Sequence, residues 1–69
     1  MLWLSELLIQ RHDLECFADV VRAVQERARE GERFLRLDVR PQFPDTPEDW
    51  EEILETAFMN PDRPVGTGT

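Results

Sequence analysis

The chain has 69 residues, one cysteine and a formal net charge of -7, which confines it to a single small domain and excludes an intrachain disulfide. A chain of this size buries only about 60% of the surface its unfolded form exposes, so self-association or a partner chain is the route left for added stability. All eight basic residues are arginine, which excludes chemistry that needs a lysine side chain, such as a Schiff base or a P-loop.

The charge is unevenly placed. Residues 1–40 hold seven arginines against eight acids, a net of -1, whereas residues 41–69 hold Arg63 against Asp45, Glu48, Asp49, Glu51, Glu52, Glu55 and Asp62, a net of -6. Such a field repels phosphate backbones and anionic lipids, so the expected partner is neither nucleic acid nor membrane, and a basic protein surface is favoured. No apolar run reaches the 18 or so residues of a spanning helix. The opening "MLWLSELLI" lacks the basic flank and cleavage site of a secretory signal. A cytoplasmic location is expected, and a single reduced Cys16 agrees with it.

The first segment, residues 2–10, reads in two ways. As a helix, Leu4, Leu7 and Leu8 form a stripe, and Leu and Glu favour that state. As a strand, residues 2–9 would run parallel to a later strand in a β-α-β unit with a right-handed crossover. The helical reading is preferred. It leaves the later strand needing a partner from another chain, for which a symmetric antiparallel dimer is the natural source.

Residues 13–30, "DLECFADVVRAVQERARE", predict a helix. Leu14, Phe17, Val21, Val24 and Ala28 recur at spacings of three and four, with Ala18 and Val20 widening the stripe. Asp13 is placed to cap it and Gly31 to terminate it. Residues 33–40, "RFLRLDVR", change to a period of two: Leu35, Leu37 and Val39 point one way, Arg36, Asp38 and Arg40 the other. These residues form the expected dimer strand, with Arg36 and Arg40 available to meet acids across the interface.

After a loop at 41–45, the stretch "TPEDWEEILETAF" predicts the last helix. Thr46 is a suitable N-cap, Pro47 fits the first helical position, and Glu48 and Asp49 complement the helix dipole. Trp50, Ile53, Leu54, Ala57 and Phe58 mark one apolar face. Glu48, Glu51, Glu52 and Glu55 fill much of the remainder, and the like-charge pairs Glu48/Glu52 and Glu51/Glu55 weaken the isolated helix by about 0.2–0.5 kcal/mol each. Residues 61–69 read as a flexible tail following a single domain over 1–60.

No constellation supports an enzyme. His12 and Cys16 would share a helical face if residues 12–16 were helical, but this chain offers no further His or Cys to complete a zinc site, and a nucleophilic Cys16 lacks an oriented base. The acids of the last helix share one element, unlike carboxylates that flank a catalytic cleft. Arg22, Arg27, Arg29, Arg33, Arg36 and Arg40 are interrupted by Glu26, Glu30, Glu32 and Asp38, which breaks up any stripe for nucleic acid. No catalytic, cofactor-binding or metal-binding residue is assigned.

The expected architecture is a small α+β domain, helix-helix-strand-helix, completed by dimerisation; the alternative is β-α-β-α with a two-stranded parallel sheet. The expected function is a non-catalytic protein-binding accessory or inhibitory module, one form being an antitoxin-like inhibitor of a basic protein. Trp50, Ile53, Leu54 and Phe58 would serve as anchors, with Glu48, Glu51, Glu52 and Glu55 steering approach. The competing expectation is a purely structural homo-oligomer that consumes the whole apolar inventory.

Overall fold

The computed structural model describes residues 1–62. It is a small α+β fold with the order β1 (Leu2–Trp3), α1 (Leu4–Gln10), α2 (Phe17–Arg29), β2 (Leu35–Arg36) and α3 (Trp50–Met59). Both readings of the opening segment hold in part. Leu2 and Trp3 are extended and pair in parallel with Leu35 and Arg36, and the chain then turns directly into α1. The later strand therefore finds its partner within the chain, which corrects the expectation that a helix at residues 4–10 would force it to pair with another subunit. That pairing also explains why the regular strand is so short: β1 ends after two residues, so the ladder stops at Arg36 although the apolar alternation continues to Val39.

Three helices close over one core. Leu2, Leu4 and Leu7 come from the opening segment, Phe17, Val20, Val21, Ala23 and Val24 from α2, and Leu54 and Ala57 from α3; all are buried together. The stripe of α2 follows the spacing of its apolar residues, except that Ala18 faces solvent and Ala23 faces the core. Leu14 lies outside the helix and is only half-buried. Gly31 terminates α2 as expected: its φ is +108°, a left-handed conformation that only glycine adopts readily, and its N–H donates to the Ala28 carbonyl at 3.1 Å.

The helix starts differ from expectation, and one cause covers two of them. Helix α2 begins at Phe17, not near Asp13, and Cys16 at its N-cap makes no side-chain cap. Both carboxylate oxygens of Asp45 instead accept the Phe17 backbone N–H, at 3.0 and 3.1 Å. Asp13 is engaged elsewhere, accepting from Arg11 Nε and Nη2 at 2.9 and 3.0 Å. Helix α1 is treated like α2: its own N-cap Trp3 provides no side-chain bond, and Asp38 accepts from the Ser5 N–H at 3.1 Å and the Ser5 hydroxyl at 2.6 Å. One orphan N–H at the start of each of two helices, that of Ser5 and that of Phe17, is thus satisfied by a carboxylate from the single connection that follows β2.

Helix α3 begins at Trp50, three residues later than Thr46 would place it as a cap. Thr46 is buried and its hydroxyl donates to the Pro41 carbonyl at 3.2 Å. Its N–H donates to the Phe43 carbonyl at 3.0 Å, and its own carbonyl accepts from Arg40 Nη2 at 3.3 Å. These bonds hold residues 40–46 as a tight loop, turn the hydroxyl toward Pro41, and commit to Phe43 the Thr46 N–H that the return half of a capping box would use. The tail expected over 61–69 lies largely outside the described residues.

Candidate protein-binding surface

Helix α3 divides its apolar stripe between core and surface. Leu54 and Ala57 are fully buried, and Trp50, Ile53 and Phe58 are half-buried and packed against the same core. Leu54 is therefore consumed internally and offers nothing to a partner. Trp50 lies at the start of the helix with part of its ring covered, so the stripe that looked like one continuous docking face is mainly the inner face of a packed helix. Glu48, Glu51, Glu52 and Glu55 are all exposed and form an acidic outer surface.

The large exposed apolar side chains lie elsewhere. Phe34 is 63% exposed and Met59 77% exposed. The two line one open depression with Arg33, Leu35, Glu55 and Phe58. Its position follows from the fold: Phe34 immediately precedes the β2 ladder, and Phe58 and Met59 close the C-terminal turn of α3. Glu55 lies one helical turn before Met59 and connects this apolar hollow to the acidic face. Phe58 and Glu55 belong to the helical pattern of residues 46–58, whereas Phe34 lies just before β2 and Met59 one position beyond the apolar stripe, so neither is marked by local periodicity.

A second open depression is lined by Leu8, Ile9, Arg11, His12, Leu14, Gln42 and Phe43. Residues 12–16 are not helical, so His12 and Cys16 do not share the face required for a pair of metal ligands. His12 is exposed in a turn and Cys16 is half-buried at the start of α2. No group of three or more His, Cys, Asp or Glu side chains is arranged to hold a metal ion among the described residues. No helix among them is long and apolar enough to cross a membrane.

The basic residues are mostly engaged in local pairs. Arg11 bridges Asp13 and Glu26, with Nη1 to Glu26 Oε2 at 3.3 Å, and the Asp13 carboxylate raises the Arg11 pKa above its ordinary value. In return, the Arg11 guanidinium holds Asp13 below the usual carboxylate value. Arg22 pairs with Asp19, not with Glu26 one turn onward. Asp19 is pulled down first by the Glu15 backbone N–H, which it accepts at 2.9 Å, and then by Arg22. Arg29 reaches the end of α3, donating to the Pro61 carbonyl at 2.8 Å and to Asp62 at 3.2 Å. Arg36 lies 5.5 Å from the centroid of the Trp3 ring, a cation–π distance. Of these, Arg11, Arg29 and Arg36 link different parts of the chain, whereas the Arg22 pair stays within α2.

No protein-family model, curated protein or solved structure matches this chain.

Proposed function

We propose that this chain is a non-catalytic protein-binding module, accessory or inhibitory in role, that docks a basic segment carrying an apolar side chain. The observation that carries the reading is the hollow between Phe34 and Met59, with Phe58 beside them, adjoining the acidic outer face of α3. An exposed apolar cluster rimmed by charge is a common form of interaction site, and methionine with aromatic rings provides an adaptable apolar contact. Glu55, Glu52, Glu51 and Glu48 supply the field that steers a cationic partner and fixes its orientation. The anchors in this reading are Phe34, Phe58 and Met59; Trp50 and Ile53 support the helix from beneath.

The test is a nuclear magnetic resonance titration of the full chain with two peptides of equal charge. One is an arginine-rich amphipathic helix with leucine and phenylalanine on one face, and the other is an arginine-rich peptide without apolar residues. The first should shift Phe34, Glu55, Phe58 and Met59 together, and Met59→Glu should remove that response. Equal, diffuse shifts from both peptides, unaffected by Met59→Glu, would overturn the reading.

A further inference from the structure

The Phe34 carbonyl accepts the Leu2 N–H at 2.8 Å, so it faces β1. Backbone groups alternate in direction along an extended segment, and the Leu35 N–H and C=O therefore aim at the opposite edge of β2. Among the described residues the sheet contains only β1 and β2, which leaves that edge without a strand. Two strands make a meagre sheet, and three or more are the usual requirement for one that holds on its own.

Exposed edges are commonly protected by like charges that repel a second copy. This edge carries a different pattern. Arg36 and Asp38 are both exposed and flank Leu37; in the single chain their side chains lean toward the β1 side, Arg36 over the Trp3 ring and Asp38 onto Ser5. Val39, 39% exposed, continues the apolar alternation past the point where β1 ends, at a bend that must straighten for residue 39 to join a ladder.

We propose that the free edge of β2 pairs antiparallel with the same edge of a second copy of this chain, with the two-fold axis at Leu37. The product is a four-stranded sheet ordered β1-β2-β2-β1. In this register Arg36 lies across from Asp38 of the partner subunit, and the same pair repeats on the other side of the axis. Leu35 lies across from Val39 of the partner subunit. Centring the axis on Arg36 or on Asp38 would set arginine against arginine or aspartate against aspartate, which is unfavourable for directly opposed residues. The charge pattern therefore selects one register as well as a second copy.

Both charged groups keep capacity for the contact. Asp38 uses its carboxylate to hold Ser5, but a carboxylate accepts about four hydrogen bonds. Arg36 lies over the Trp3 ring, a contact that consumes none of its N–H donors. The hollow for a basic segment adjoins this edge through Phe34 and Leu35, but Arg36 and Asp38 lie outside it and Met59 lies outside the strand, so substitutions at those positions read the two proposals apart.

The experiment is sedimentation of the full chain across a wide concentration range, comparing wild type, Arg36→Glu, Asp38→Lys and an equal mixture of the two variants. Wild type should form dimers, and each variant alone should weaken dimerisation by roughly tenfold or more. The mixture should recover it as a heterodimer, because every opposed pair then carries opposite charges. Circular dichroism checks that each variant folds. If Asp38→Lys unfolds through loss of the Ser5 contact, Asp38→Asn takes its place: it keeps an acceptor for Ser5, and loss of the two charge pairs should still weaken dimerisation. A wild type that stays monomeric at every concentration overturns the proposal. So does a dimer indifferent to Arg36→Glu, or a mixture of folded variants that fails to recover.

Discussion

Asp45 holds the first turn of a helix that begins 28 positions before it, accepting the Phe17 backbone N–H with both carboxylate oxygens at 3.0 and 3.1 Å. Removing that carboxylate exposes an orphan donor at the start of α2 and releases the loop that precedes α3. Asp45→Ala should cost about 1 kcal/mol, equivalent to a drop in melting temperature of roughly 4–8 °C for a domain of this size. Asp45→Asn should recover most of the loss. Thermal unfolding of the two variants beside wild type is the check.

Asp38 makes the corresponding contact at α1, and it confers a dependence on acid. Its bonds from the Ser5 hydroxyl and backbone N–H hold its pKa below the ordinary value of 3.8. The unfolded chain therefore binds a proton at this site before the folded one does. The contribution is fully present well above pH 3.8 and declines as the pH falls through the lowered folded value. Urea midpoints measured from about pH 6 down to 2 should fall more steeply for wild type than for Asp38→Asn. Asp13 and Asp19, also lowered, should leave a residual slope in the variant.

Leu54 and Met59 lie on the same helix and separate packing from exposure. Leu54 is fully buried at the contact of α3 with the core, and Leu54→Ala should cost about 2–5 kcal/mol, enough to unfold a marginal domain outright. Met59→Ala should change stability by no more than about 0.5 kcal/mol. Chemical denaturation of the two variants reads the contrast directly.

Thr46 provides a test of where α3 begins. Its hydroxyl bonds the Pro41 carbonyl in a buried setting, so Thr46→Val should cost about 1–3 kcal/mol by leaving that acceptor unpaired. Helix content at temperatures well below the transition should stay unchanged, because Thr46 caps no helix. A fall in ellipticity for folded Thr46→Val would contradict that assignment.

The elements whose signals are local were legible in advance. The middle helix announces itself through Phe17, Val21 and Val24, and its end through Gly31, because periodicity and a left-handed glycine depend only on neighbours in sequence. Its start was not legible, since the cap comes from Asp45, and no local pattern around Asp13 or Cys16 carries that information. The opening segment was ambiguous because it is both things in turn: two extended residues, then a helix, with no turn residue between them. Thr46, Pro47 and Asp49 form a strong local start signal that tertiary bonds from Pro41 and Arg40 override. The candidate surface divides in the same way. Glu55 and Phe58 follow from helical spacing, whereas the prominence of Phe34 depends on how far β1 extends beside β2.

The connection after β2 also sets the order in which this chain can become ordered. Asp38 and Asp45 reach back 33 and 28 positions to the helices they hold, so a nascent polypeptide that ends before residue 45 has α2 without its cap, and one that ends before residue 38 lacks both. Leu54 and Ala57 complete the core later still. Stepwise structure formation during synthesis is therefore disfavoured, and consolidation should wait until α3 has been made. Ribosome-stalled intermediates of increasing length would show a single late gain of protease resistance, with no early resistant fragment from the N-terminal half.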